Sequence, residues 1–284
     1  MAKKQKWNVQ SAPRQNGKFA VITGANSGLG YYTAMNLASL GADVIMAVRN
    51  TEKGESAASE IRKEIPLAKL HVLPLNLADL SSIRNFAVEY KKKFKKINIL
   101  VNNAGVMMCP FQKTAEGFEM QFGTNHLGHF ALTALLFSSI INETGSRIVS
   151  VSSFVHHFGK IDFEHLNDEK KYNKYTAYFQ SKLANLLFTF ELERRLKKNN
   201  SKIISVSAHP GYSNTNLQQH SGFFNFFNPF LAQSAGMGAL PSLYAAVAAD
   251  VIGGLGALRL GQHRFLLPAP NHAKTRTGAQ RQAG

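Results

Sequence analysis

The sequence predicts an α/β fold in which one doubly wound parallel sheet makes up a single domain. Short β-branched apolar runs alternate with stretches of helical periodicity through most of the chain. The runs are apolar at successive positions instead of every second one, the pattern of strands covered by helices on both faces. No Pro-, Gly- or Ser-rich linker divides the alternation.

Taken in order, residues 1–17 form a polar leader and 18–270 the folded domain. KFAVITG at 18–24 is the first strand and stops at glycine, after which GLGYYTAMNLASLG keeps helical periodicity to Gly41. ADVIMAV at 42–48 precedes a polar helix to Ile65, and KLHVLPL at 69–75 precedes a helix from about Leu80. INILVNN at 97–103 precedes a helix near 114–141. SRIVSVSS at 146–153 and KIISVSA at 202–208 are two more strands, separated by a helix over about 174–198.

Apolar types make up 44% of the 284 residues and charged types 18%, which excludes disordered, collagen-like and disulfide-scaffold classes. Cys109 is the single cysteine, so no internal disulfide and no metal site are expected. Lys and Arg number 33 against 17 Asp and Glu, and the net charge of +16 invites a polyanion-binding reading. The charge is spread, however, over an N-terminal KKQK, residues 91–96, residues 194–198 and the chain beyond Leu255. The two internal runs fall where helices should end, where cations suit the macrodipole, so no nucleic-acid partner is expected. No apolar run is long enough to cross a membrane, and the expected location is cytoplasmic. A homo-oligomer is compatible with the sequence.

TGANSGLG at 23–30 places Gly24, Gly28 and Gly30 between the first strand and its helix, with Ser27 and Leu29 in the same turn. Glycine there permits positive φ and lets backbone N–H groups approach a pyrophosphate at the positive end of a helix. A plain tight turn would use the same glycines, but the strand before and the helix after favour the dinucleotide reading. Tyr178 and Lys182 lie four apart and project from one helix face. A free tyrosine has a pKa near ~10, and a cation within about 4–6 Å lowers an acid's pKa by roughly 1–3 units. The pair therefore reads as a tunable proton donor, with a core aromatic beside a surface lysine as the alternative. At the end of the second strand, Val48-Arg49-Asn50 carries no acid. An acid there would bind the ribose 2′-OH of NAD, whereas an arginine accommodates the 2′-phosphate of NADP. NADP(H) is thus favoured over NAD(H), unless Arg49 is only a solvated loop cation.

The glycine spacing G-x-x-x-G-x-G, NNAG at 102–105, Y-x-x-x-K at 178–182 and P-G-x-x-x-T at 210–215 occur in order, each at a strand end or on the helix expected for it. Together they resemble the short-chain dehydrogenase/reductase family over about residues 18–215. The H-P-G-Y-S variant looks most like the branch of retinol dehydrogenases and WW-domain oxidoreductases. The resemblance implies a Rossmann-fold oxidoreductase that moves hydride between nicotinamide and carbon. It implies that Ser153 hydrogen-bonds the substrate oxygen, that Tyr178 gives or takes the proton, and that Lys182 also holds the nicotinamide ribose. Ser152 competes with Ser153, and alignment with the family's serine favours Ser153. Asn125, in FGTNHLG, matches an asparagine that anchors a water in the family's proton relay. A buried helix asparagine satisfying a backbone bend is the alternative. On the cofactor side the resemblance implies the glycine turn, Arg49, Asn76 and Leu77, then Asn103, Ala104 and Gly105, and finally Pro210, Gly211 and Thr215. Asn76 stands where the family usually has aspartate beside the adenine.

Four histidines lie near these motifs, His126 and His129 on one helix and His156-His157 after the serine pair, without carboxylates at zinc spacing. An aromatic segment from Gly222, inside a lid expected near 216–235, implies an apolar alcohol, aldehyde or ketone. Core packing or a partner surface would use the same phenylalanines. The resemblance ends near Gly253, residues 258–267 are a candidate last strand, and 271–284 have the composition of a disordered basic tail. The competing function is a catalytically idle NADP(H)-binding sensor or scaffold.

Overall fold

The computed structural model describes residues 7–209, 235–254 and 256–257. Along the chain it has β1 (Phe19–Thr23), α1 (Gly28–Ser39), β2 (Asp43–Val48), α2 (Thr51–Glu64), β3 (Lys69–Pro74), α3 (Leu80–Lys93) and β4 (Ile99–Asn102). There follow α4 (Met120–Phe122), α5 (Gly128–Leu136), β5 (Arg147–Val151), α6 (Lys174–Lys198), β6 (Ile204–Ala208), α7 (Ala235–Val247) and β7 (Gly256–Ala257). The strands form one parallel sheet in the order β3-β2-β1-β4-β5-β6-β7. β1 pairs on one side with β2 and on the other with β4, Ala20 opposite Ile99. The strand order reverses there, and the crevice beyond the carboxyl ends of β1 and β4 is where such sheets place ligands.

Both faces of the sheet are covered, as the continuous apolar runs require. Ala20, Ile22, Val44 and Met46 face α1, α2 and α7 through Leu37, Ile61 and Leu243. Val21, Ile45, Leu100 and Ile148 face α3, α5 and α6 through Phe86, Leu132 and Leu196. The helices start where side-chain oxygens meet free amides. Asn50 accepts from Lys53 N, Asp79 from Ser81 N and Ser82 N, and Asn173 from Tyr175 N and Thr176 N. The two internal basic runs supply the last turns of α3 and α6, as the macrodipole argument expects. Ahead of β1, Trp7 packs edge-on against Tyr244 of α7, with ring centroids 5.2 Å apart.

The helix expected over 114–141 is shorter and broken. Lys113 bridges to Glu119, and the Glu119 carboxylate then caps Gln121 N and Phe122 N, so the helix cannot start before Met120. Gly123–Leu127 forms a π-turn between α4 and α5. Among the described residues Gly256 and Ala257 pair as the seventh strand, and the candidate run at 258–267 lies outside them. Among the described residues no helix is long and apolar enough to cross a membrane.

Candidate active site

The glycine turn needs its glycines. Gly24 and Gly28 have φ of +67° and +55°, a region in which a side chain costs about 1–2 kcal/mol. A Cβ on Gly30 would run into the Gly24 carbonyl oxygen and stand 2.6 Å from Asn103 Nδ2. Ser27 is the N-cap of α1, yet its side chain makes no capping hydrogen bond, and the first turn carries no acid. The leading amides of α1 have no acceptor inside the helix and share its positive end, a donor set that fits a phosphate. Leu29 is buried beneath this turn. The residues present therefore fit the diphosphate of a dinucleotide.

The N-N-A-G segment is bound to the same turn. Thr23, the last residue of β1, accepts from Asn103 N and Ala104 N at 2.9 Å each, while Asn103 Nδ2 donates to Thr23 O at 2.8 Å. A Cβ on Gly105 would stand 2.9 Å from Asn125 Oδ1, so this glycine admits the Asn125 side chain, with Lys182 Nζ at ordinary contact distance, 3.8 Å. Asn125 lies in the π-turn and is fully buried. Its amide accepts from Val106 N at 2.8 Å and donates to Val106 O at 2.9 Å and to Ser181 Oγ at 3.0 Å. Both amide protons are thus spent on tying the loop after β4 to α6, which matches the bend-satisfying alternative for the side chain. Its backbone carbonyl sits in the π-turn, a distortion common at functional sites.

Ser153, Tyr178 and Lys182 come together between β5 and α6. Ser153 lies two residues beyond β5 in extended conformation, and its side chain acts on the Tyr178 phenol, lowering its pKa. Ser152 is different: its hydroxyl donates to Lys182 O at 2.8 Å and is committed to backbone. Ser152 is thus held by backbone, whereas Ser153, the serine the resemblance favours, is the one that acts on Tyr178. Lys182 Nζ lies 5.5 Å from the centroid of the Tyr178 ring and donates to Val151 O at 3.2 Å. Asn185 Nδ2 donates to the same carbonyl at 3.3 Å.

The electrostatics correct one expectation. Burial raises the Tyr178 phenol well above the usual tyrosine range, opposed only by the Ser153 side chain. Lys182 does not pull it down; burial pushes the ammonium itself down to about 8. Desolvation at this depth outweighs the attraction of one cation 5.5 Å from the ring centroid.

The other expected positions are dispersed around this centre. Arg49 is exposed directly after β2 and takes part in none of the ion pairs among the described residues. Asn76 Oδ1 accepts from Ala78 N at 3.1 Å in the turn leading to α3, and Leu77 is a core residue. Phe154 follows Ser153, is 55% exposed and stacks on His209, giving the site an apolar rim. Pro210, Gly211, Thr215 and nearly all of the lid near 216–235 lie outside the described residues. Thr23, Ser181 and His129 were not singled out as site residues. Thr23 could have been found as the residue before the first glycine, and His129 as one helical turn beyond Asn125.

Comparison with known proteins agrees with this arrangement. The family model for short chain dehydrogenase matches residues 18–222. Human retinol dehydrogenase 12 is 48% identical over 236 residues, covering 82% of this chain and 74% of that protein. Human retinol dehydrogenase 11 is 47% identical over 234 residues, covering 81% and 73%. A crystal structure of an uncharacterized protein from Mycobacterium paratuberculosis superposes with a TM-score of 0.74 at 45% identity, covering 89% of this chain and 84% of that one. A short chain dehydrogenase from Burkholderia cenocepacia in complex with NADP shares the fold at 23% identity and a TM-score of 0.69, covering 86% and 96%. With the glycine turn, the parallel sheet and these relatives in agreement, the chain belongs to the short-chain dehydrogenase/reductase family of oxidoreductases, in its retinol dehydrogenase-like branch.

Proposed function

We propose that the protein transfers hydride between NADP(H) and an apolar alcohol, aldehyde or ketone, and that Ser153, Tyr178 and Lys182 handle the proton. The observation that carries this reading is Ser153 acting on the buried Tyr178 phenol with Lys182 Nζ over the Tyr178 ring, two strands across the sheet from a glycine turn fitted to phosphate. The nicotinamide, when bound, supplies or takes the hydride. Ser153 orients the substrate oxygen by hydrogen bonding. Tyr178 stays a neutral phenol at neutral pH because burial raises its pKa, and a neutral phenol beside a developing alkoxide is a donor. That favours the reductive direction.

Lys182, with a pKa of about 8, is still mostly charged near pH 7 and offers N–H groups to a ribose hydroxyl. Gly24, Ser27, Gly28 and Gly30 would hold the diphosphate, and Arg49 would meet the 2′-phosphate that distinguishes NADP from NAD. Asn76, Leu77 and the segment Asn103, Ala104, Gly105 would flank the adenosine, and Asn125 would serve the proton relay through its backbone carbonyl. The exposed Phe154 beside Ser153 supports an apolar substrate.

The test is cofactor fluorescence with NADPH and NADH on purified protein, followed by turnover on a panel of apolar aldehydes, ketones and alcohols. Tighter NADPH binding and saturable reduction are expected. Binding without turnover across the panel would move the assignment to a cofactor-binding scaffold, and absence of binding would overturn both.

A further inference from the structure

His129 is buried to 3% exposure one turn after Asn125, and both of its ring nitrogens are engaged. Nδ1 lies 2.9 Å from the Asn125 carbonyl oxygen, and Nε2 lies 2.9 Å from Thr23 Oγ1. Proton counting leaves one arrangement. A carbonyl only accepts, so Nδ1 carries the hydrogen. Thr23 Oγ1 already accepts from Asn103 N and Ala104 N, so its single proton must be donated outward. The candidates are Val101 O at 3.4 Å and His129 Nε2 at 2.9 Å, and the shorter, well-formed bond is to the imidazole. The opposite tautomer would set a bare nitrogen against a carbonyl oxygen and crowd a third donor onto Thr23.

We infer that His129 is a positioning residue, a neutral imidazole that locks the π-turn of Asn125 to the Thr23 hydroxyl and, through it, to the Asn103-Ala104 amides on the cofactor side. The inference rests on the reading of Asn125 and the N-N-A-G segment given under the proposed function. The hydrogen-bond path runs from the Asn125 carbonyl through the ring to Thr23 and ends on two backbone amides, so a shift at either end is felt at the other. A neutral ring is what the surroundings enforce. Burial pushes its pKa down to about 4, against the hydrogen bond to Asn125, and the titratable groups facing it, Lys182 from α6 and His126 from the π-turn, act in the same direction as burial. An apolar side chain of this size would fill the space but carry neither bond.

The first arm of the test needs no activity and no variant. Long-range proton–nitrogen NMR of histidine-labelled protein should place the His129 proton on Nδ1 and keep it there from about pH 5 to about pH 8. A proton on Nε2, or a titration in that range, would overturn the inference. The second arm compares His129→Leu, His129→Asn and His129→Gln by steady-state kinetics and cofactor titration. The leucine variant should lose up to about tenfold in kcat and about tenfold in cofactor affinity, the scale of one neutral hydrogen bond on each side. Asparagine places an amide near the Nδ1 position and should recover mainly kcat, whereas glutamine reaches toward Thr23 and should recover mainly cofactor affinity. Lower thermal stability with unchanged kcat and cofactor affinity in all three would reduce His129 to packing. A wild type that binds cofactor but turns over no carbonyl would defeat the catalytic reading alone, since the NMR and cofactor measurements still decide the tether.

Discussion

The glycine turn and the Ser153–Tyr178–Lys182 cluster follow β1 and β5, with β4 between them, but are built on opposite principles. In the turn the backbone is the working surface, and Gly24, Gly28 and Gly30 keep it bare by positive φ or by contact too close for a Cβ. In the cluster the proposed chemistry falls to side chains, and Tyr178 and Lys182 are buried at a cost visible in the displaced pKa of both. Adding atoms should therefore ruin the first and removing them the second. The first region should fail in binding, the second in turnover.

The largest effect is expected for Tyr178→Phe, which removes one hydroxyl. Turnover should fall by on the order of 10²–10⁴ with cofactor affinity intact, measured by steady-state kinetics beside fluorescence titration. Loss of binding instead would erase the contrast between the two regions. Next comes Gly28→Val, where a branched side chain is forced to φ of +55° beside the helix amides. Losing two charge-assisted bonds, each about 1.5–3 kcal/mol, should weaken cofactor binding by roughly a hundredfold or more while the protein still folds. A folded variant with unchanged affinity would show the loop to be only a turn.

Arg49→Leu should weaken NADPH by roughly ten- to a hundredfold and leave NADH nearly unchanged. Exposure of Arg49 makes the lower figure the expected one, and added salt should shrink the difference between the cofactors. Equal losses for the two cofactors would withdraw the NADP assignment. The smallest effect is on stability. Lys182 has a pKa lowered to about 8, so the folded state releases this proton before the unfolded state does. Folding is penalised while the ammonium is buried, and the penalty is relieved as pH rises from about 8 toward the unfolded value near ~10.4. Wild type should gain about 1 kcal/mol relative to Lys182→Met between about pH 8 and pH 9 in denaturant titrations. A flat difference would mean that the ammonium is better solvated than its burial implies.

The same contrast sorts what could be read from the sequence. β1 through β6 were legible to within a few residues, because strands buried on both faces must be continuously apolar. The glycine turn was legible because its requirement is steric and Gly24, Gly28 and Gly30 fall within one short stretch between strand and helix. The break at Gly123–Leu127 was not, since a π-turn leaves the apolar periodicity of its helix almost unaltered. Ser152 and Ser153 could not be separated by residue type; the backbone of α6 consumes one hydroxyl and leaves the other facing Tyr178. The raised pKa of Tyr178 also escaped, because spacing reports a nearby cation and says nothing of burial depth. His129 carried only the signal of lying one helical turn beyond Asn125, and its other partner, Thr23, is 106 positions away.

The pairing of β1 with β4 sets a constraint on how the chain acquires its structure. Ala20 meets Ile99 only after the two intervening βα units have been made, and Phe19 N closes onto Asn98 Oδ1 across a separation of 79 positions. Contacts of that span pay loop-closure entropy before they return any stabilisation, which slows folding. During synthesis β1, β2 and β3 can associate with α1 and α2 while the other edge of β1 stays open. That open edge is a row of unpaired backbone donors and acceptors flanked by Val21 and Ile22. Until β4 fills it, it is the part of the nascent chain most exposed to strand-to-strand aggregation.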